Sequence, residues 1–333
     1  MRIAIIRLSS MGDILLSSPI VLALHKSYPK ATIDFYTKDT MHSIIGEHPG
    51  ISKVYLWNCK AKDGLNDMIN QIENRQYDHI VDLQNNWRSR RLRRMLSGKL
   101  HRVNKEGFRR RILVHFGWNI LRKRHVIRRY YSCISDFCPS PLQERIELPD
   151  TQSTPLTHLL SPRTSTGNFI VWAIGAKHFT KRLPNSIIVK TIQSIPHSVI
   201  LIGDSTDCEN AQRILAHLPK GHNVIDLTGK TSFLESVELI KRARLTLAND
   251  SLMMHVAAGS GKPLISFWGS TTPELGFRPL SNHATLISAP KKLSCQPCHT
   301  AGRSSCPKKH FNCMMTIKPE IIVQAIDDAL KAR

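Results

Sequence analysis

Two patterns alternate along most of this chain. Short, unbroken apolar runs give way to longer segments whose apolar positions recur every three or four residues. Residues 2–7, with Ile3, Ala4, Ile5 and Ile6, read as a buried strand of the parallel-sheet kind. A loop of small residues, 8–13, follows. An apolar helix then runs through Ile20, Val21 and Leu24, with Pro19 at its first turn or at a kink. Strands at 32–36, 53–57 and 79–83 are separated by helices at 41–47 and 65–73. Periodicity then lapses. Residues 139–167 hold Pro139, Pro141, Pro149, Pro155 and Pro162 among many Ser and Thr, the make-up of an interdomain connection. A second set starts at 168–174 and continues with strands at 199–203, 224–227, 245–248 and 263–267. Its helices run through Glu209, Ala211 and Ile214, and over 234–243. The last helix, 319–330, has Ile322, Ile326, Ala329 and Leu330 on one face. Such βα alternation predicts parallel sheets with right-handed crossovers. We read an N-terminal domain at 1–150, a linker at 151–167, a C-terminal domain at 168–318, and a C-terminal helix at 319–333 that packs back on the first domain.

Charge adds a partner class. The chain has 333 residues, with 47 Lys and Arg against 25 Asp and Glu, a formal net charge of +22. That balance favours an anionic partner and says nothing of the fold. Sixteen of the basic residues lie between Arg88 and Arg129. A charge run is usually a solvated face. Here Trp87, Leu92, Phe108, Phe116, Trp118 and Ile120 are interleaved, which suits an anionic membrane or a phosphorylated lipid. Nucleic acid would fit the charge too, but no nucleic-acid-binding motif accompanies it. The N-terminus lacks the layout of an export signal, and the early apolar stretch 14–24 is too short to span a bilayer. The eight cysteines are therefore expected to be reduced. Cys295, Cys298, Cys306 and Cys313 have spacing that suits a structural zinc, with His299 and His310 as alternative ligands; the other reading is packed thiols.

Three loops at strand ends carry candidate chemistry. Asn249-Asp250-Ser251-Leu252-Met253-Met254-His255-Val256-Ala257-Ala258 follows one strand, opens a helix and precedes another strand. A helix N-terminus at the carboxyl edge of a sheet binds anions. Asp250 or Ser251 would cap that helix, and a capped core helix is the plainer reading. The loop ending in Asp13 is a strand-to-helix turn in which Asp13 reads as a helix cap. Ser9, Ser10 and Gly12 offer backbone N–H groups to a carboxylate or phosphate. Lys181, in the loop after 168–174, could neutralise a departing diphosphate or simply be exposed. The dinucleotide fingerprint, the phosphate-binding P-loop and the hydrolase nucleophile elbow are all absent.

Taken together, these motifs resemble glycosyltransferase family 9, the ADP-heptose:lipopolysaccharide heptosyltransferases. The Asn249–Ala258 run is similar to that family's Asn-Asp-Ser-Gly-Leu-Met-His-Val-Ala-Ala, with Leu252 where the family has Gly and Met253 where it has Leu. Arg7 to Asp13 resembles its N-terminal signature, and Asp82 to Ser89 its Asp-Leu-Gln-Gly-Asn-x-Arg-Ser segment. Lys181-Arg182-Leu183-Pro184 is similar to Lys-Arg-Trp-Pro, and 268–273 to a Gly-Pro-Thr loop in which Ser270 replaces the proline. The resemblance implies a GT-B fold, two Rossmann-like α/β domains whose parallel sheets face a central cleft. It implies inverting, metal-independent transfer of heptose from ADP-heptose to the lipopolysaccharide inner core. Asp13 is then the base. Thr180, Lys181, Asp250, Ser251, Met254 and His255 bind the donor. Arg7, Ser9, Ser10, Gly12 and Arg88 bind a phosphorylated acceptor at the cytoplasmic face of the inner membrane, with no nucleic acid involved. Two other readings stay open: a transferase using another nucleotide sugar, and a non-enzymatic basic protein that binds membrane or nucleic acid.

Overall fold

The computed structural model describes residues 1–58, 60–61, 64–86, 89, 99–122, 125–160 and 167–331. Packing divides the chain into two units, Met1–Gly107 with Arg124–Pro149, and Phe108–Lys123 with Asp150–Arg333. The excursion of 108–123 into the second unit has no counterpart in the sequence pattern.

In the first unit five strands form one parallel sheet: β1 (Arg2–Ile6), β2 (Thr32–Lys38), β3 (Lys53–Trp57), β4 (His79–Asp82) and β5 (Lys99–Arg102). Their order is β3-β2-β1-β4-β5. Central β1 has neighbours on both edges, and its residues Ile3 to Ile6 are wholly buried, hence the unbroken apolar run. The helices are α1 (Met11–Leu15), α2 (Ser18–Ser27), α3 (His42–Ile45), α4 (Gly64–Asn74) and α6 (Val126–Tyr131), with α5 (Gly107–Phe116) starting where the chain crosses to the second unit.

The second unit holds six parallel strands: β6 (Ile170–Ala173), β7 (Val199–Ile202), β8 (Val224–Asp226), β9 (Leu245–Asn249), β10 (Leu264–Trp268) and β11 (Ala284–Ser288). Their order is β11-β10-β9-β6-β7-β8. Helices α7 (Asn185–Gln193), α8 (Cys208–Ala216), α9 (Phe233–Arg242), α10 (Leu252–Gly259), α11 (Asn312–Met315) and α12 (Pro319–Lys331) accompany them. Helix α9 starts where its cap predicts: Ser232 Oγ accepts from the Glu235 N–H, and Glu235 accepts from the Ser232 N–H. The last helix, α12, buries Ile322 and Ile326 in the core of this unit, and its contacts with α7, β9 and β10 lie there. Among the described residues no helix is long and apolar enough to cross a membrane.

Strand order sets the two places where ligands can sit. In the first sheet the order reverses between β1 and β4, and in the second between β6 and β9. Loops leaving the carboxyl ends of such neighbouring strands diverge to opposite sides and leave a crevice. Residues 7–13 leave β1, and residues 175–183 leave β6, so the sequence motifs fall at these two points.

Candidate functional site

In the first unit the β1 loop builds a carboxylate site. Asp13 lies in the five-residue helix α1 with its side chain 17% exposed. Its Oδ1 pairs with Arg7 Nη2 at 2.8 Å and accepts the Tyr130 hydroxyl at 2.9 Å. Its Oδ2 accepts the Ser10 hydroxyl at 2.6 Å and the Ser10 N–H at 3.3 Å. The cap bonds thus use Oδ2, while Arg7 and Tyr130 use Oδ1. Burial alone would raise the Asp13 pKa. The Arg7 charge, with the Ser10 and Tyr130 hydrogen bonds, outweighs it and holds the carboxyl below its ordinary range. Arg7 is itself buried and also donates to the Leu83 carbonyl in the loop after β4. That loop is held by Asp82, which accepts from the Gln84 N–H at 3.0 Å and the Asn85 N–H at 2.7 Å.

The expected anion cradle is partly used. The Leu8 and Ser9 N–H groups donate to Gln84 Oε1 at 3.0 and 3.2 Å, and the Ser10 N–H goes to Asp13. Ser9 and Ser10 therefore spend these N–H groups inside the protein. Gly12 is half-buried beside them. Arg88 lies outside the described residues.

In the second unit the loops after β6 and β9 meet. Lys181 Nζ pairs with Asp250 Oδ2 at 2.7 Å, with side chains 15% and 8% exposed. The same oxygen accepts the Thr271 hydroxyl at 2.6 Å. Asp250 is thus tied to Lys181 and Thr271, and Ser251 takes the N-cap position of α10 without a side-chain cap hydrogen bond. The Ser251 Oγ is shielded and has no hydrogen-bond partner among the described residues. No side chain caps the first turn of this helix, whose N–H groups carry its positive end. Met254 is fully buried and His255 nearly so, one turn into the same helix.

Asn249 fixes this arrangement. Its amide N–H donates to the Ile174 carbonyl at 2.8 Å, and its Oδ1 accepts the Leu183 N–H at 3.0 Å. One buried side chain thereby spans both ends of the loop carrying Thr180 and Lys181. Thr180 is buried, donates to Ser270 Oγ at 2.8 Å and accepts the Arg303 N–H at 2.8 Å. The Ser270 N–H donates to the Thr180 carbonyl at 3.2 Å, a bond that a proline at 270 could not make. Gly302 leaves room for the Lys181 stem, since a Cβ there would sit 2.9 Å from Lys181 Cδ. A pocket of about 340 Å³ adjoins, lined by His178, Gly302, Arg303, Ser304, Ser305 and Pro307.

The zinc expectation finds no support. Cys295, Cys298, Cys306, Cys313 and His310 do line one hollow of about 10 Å³. Among the described residues, however, no group of three or more His, Cys, Asp or Glu is placed to hold a metal ion. Burial pushes the Cys298 thiol up and the Cys313 thiol up to about 12. The seven described cysteines are free thiols. Sequence reasoning missed Tyr130, Thr271 and the bridging role of Asn249. Only the placement of Asn249 at the head of its motif could have signalled its role.

Comparison with known proteins points one way. The model of glycosyltransferase family 9 (heptosyltransferase) matches residues 66–309. Lipopolysaccharide heptosyltransferase 3 of Escherichia coli is 27% identical over 292 residues, 82% of this chain and 84% of that protein. The structure of E. coli ADP-heptose lps heptosyltransferase II superposes with a TM-score of 0.76 at 22% identity, covering 100% of this chain and 99% of that one. E. coli heptosyltransferase WaaC with ADP gives 0.71 at 18%, covering 99% and 100%.

Proposed function

The chain belongs to glycosyltransferase family 9 and has that family's two parallel-sheet GT-B domains; from this premise we propose that it transfers heptose from ADP-heptose to the inner core of lipopolysaccharide, with inversion and without a metal ion. The observation that carries the donor half is the Lys181–Asp250 pair beside the uncapped start of α10. A lysine and a helix N-terminus supply the positive charge that a nucleoside diphosphate acquires as it leaves. Thr180 and Asn249 hold the lysine loop in place. Asp250, Ser251 and the α10 start receive donor hydroxyls and phosphate, and Met254 and His255 support that turn from inside the helix.

Asp13 is the base. A sugar hydroxyl of the acceptor attacks the anomeric carbon, the bond from that carbon to the diphosphate oxygen breaks, and the hydroxyl proton passes to Asp13. A carboxylate offers about four lone-pair sites, and Arg7, Tyr130 and the two Ser10 donors fill them. Ser10 is exposed, so the acceptor hydroxyl takes the place of the bond its hydroxyl makes to Asp13 Oδ2. The depressed pKa keeps Asp13 ionised and ready at neutral pH. Phosphate on the acceptor fits the basic balance of the chain, and Arg88 and the stretch around it are the groups to receive it, while Arg7 holds Asp13. Such an acceptor places the protein at the cytoplasmic face of the inner membrane.

Calorimetric titration with ADP-heptose, ADP, UDP and GDP, without divalent metal, tests the donor. Binding of the ADP species alone supports this reading. Preference for UDP or GDP overturns the sugar nucleotide while keeping the transferase, and Leu252 at the start of α10 would be the first residue to examine.

A further inference from the structure

Residues 107–122 hold four arginines and no acidic residue. Apolar residues are interleaved with these charges, and the structure leaves four of them exposed: Phe108, Phe116, Trp118 and Ile120. Leu113 and Leu121 are buried in a small cluster with Leu275, against which Phe277 packs. Arg110 donates to the Leu275 carbonyl at 2.9 Å and lies over the Phe277 ring at 5.2 Å. These contacts fasten the two ends of the segment. Between them α5 stops at Gly117, whose φ of +70° is left-handed and whose N–H returns to the Leu113 carbonyl at 3.0 Å. The turn that results presents Phe116 at 66%, Trp118 at 68% and Ile120 at 45% exposure, and Phe108 is 73% exposed at the other end of α5. The Phe116 and Trp118 rings lie 5.8 Å apart.

Large apolar side chains gathered on a surface mark a place that something covers. The charge around them selects what. Arg111 is exposed at the rim, and the segment itself has no acidic residue. Aromatic rings with arginine neighbours suit the boundary between anionic headgroups and acyl chains. A nucleic-acid platform would use the flat rings but would leave Ile120 without a role.

We propose that the 107–122 turn is a membrane anchor: Phe116, Trp118 and Ile120 enter the headgroup–acyl boundary of an anionic bilayer, and the arginines lie along its headgroups. Its purpose rests on the lipid-borne acceptor proposed above, but its binding to lipid needs no saccharide. The test uses the full chain and vesicles of phosphatidylethanolamine with phosphatidylglycerol, free of any saccharide. Wild type is expected to co-sediment with them and to bind pure phosphatidylcholine poorly. Phe116→Ser/Trp118→Ser should bind at least about tenfold more weakly while ADP binding and thermal unfolding stay unchanged. In vesicles with brominated acyl chains, the fluorescence of a Trp87→Phe background should be quenched, since Trp118 is exposed while Trp57, Trp172 and Trp268 are buried. In that background Trp118→Phe should keep most of the vesicle binding and lose most of the quenching. Equal vesicle binding by the double serine variant, or unchanged quenching in Trp118→Phe, overturns the proposal. So does a wild-type dimer that the double serine variant dissociates, because a second copy would then cover the turn. Failure to transfer heptose, with vesicle binding intact, would overturn the proposed reaction and leave the anchor standing.

Discussion

Lys181→Met separates the two jobs that the proposed reaction gives to one lysine. Lys181 Nζ lies 2.7 Å from Asp250 Oδ2, and the pair is 15% and 8% exposed. Removing the cation leaves a shielded carboxylate with the Thr271 hydroxyl at 2.6 Å. Breaking a fully buried pair from one side costs about 3–5 kcal/mol. The partial exposure here lowers that to about 1–3 kcal/mol, to be read from urea unfolding. Catalysis should suffer separately. A preorganised group aimed at charge developing in the transition state is worth about 10²–10³ in kcat, or about 2.7–4 kcal/mol, to be read from steady-state transfer. The double variant Lys181→Met/Asp250→Asn distinguishes the two effects. With no stranded charge, its stability should return to within about 1 kcal/mol of wild type, while kcat stays low. Recovery of transfer in the double variant would refute the reasoning, because the lysine would then only neutralise Asp250. A fall in kcat of less than about threefold in Lys181→Met would refute it too.

Asn249→Ala should cost about 1–3 kcal/mol by leaving the buried Leu183 N–H without its acceptor; calorimetry should also show weaker ADP binding, since the lysine loop loses its tie at both ends. Tyr130→Phe removes a donor that favours ionised Asp13. In the proposed reaction ionised Asp13 is the active form, so activity should be lost as pH falls through its depressed pKa. The acid limb of the kcat/KM profile should therefore move to higher pH in the variant. An unmoved or lowered limb would mean that Asp13 does not set it.

The two sheets were legible because their central strands are buried on both faces. Ile3 to Ile6 in β1 are apolar throughout, and β9 departs from that between Leu245 and Ala248 only at Thr246. Edge strands β5 and β11 were not read. Lys99-Leu100-His101-Arg102 and Ala284-Thr285-Leu286-Ile287-Ser288 each pair on one side only, are covered less, and so carry polar residues. Helix α7 was missed because Ile187, Ile188 and Val189 stand side by side and blur the helical period. Asp13, Lys181 and Asp250 stood out because they follow strands in loops of known chemistry. Tyr130 reaches Asp13 from 117 residues away, and Thr271 reaches Asp250 from 21. Only the tertiary fold creates those pairs. Phe116 and Trp118 were read correctly as apolar, but their exposure depends on the turn at Gly117 and on the Leu113–Leu121–Leu275 contact.

The most direct measurement of the central claim is the transfer rate of Asp13→Asn with ADP-heptose and an inner-core acceptor, beside calorimetric binding of each. The amide keeps the shape of the side chain and loses the basic oxygen. We expect kcat to fall by about 10²–10⁴, with both dissociation constants within about threefold of wild type. Transfer within about threefold of wild type, with both substrates bound normally, would contradict Asp13 as the base.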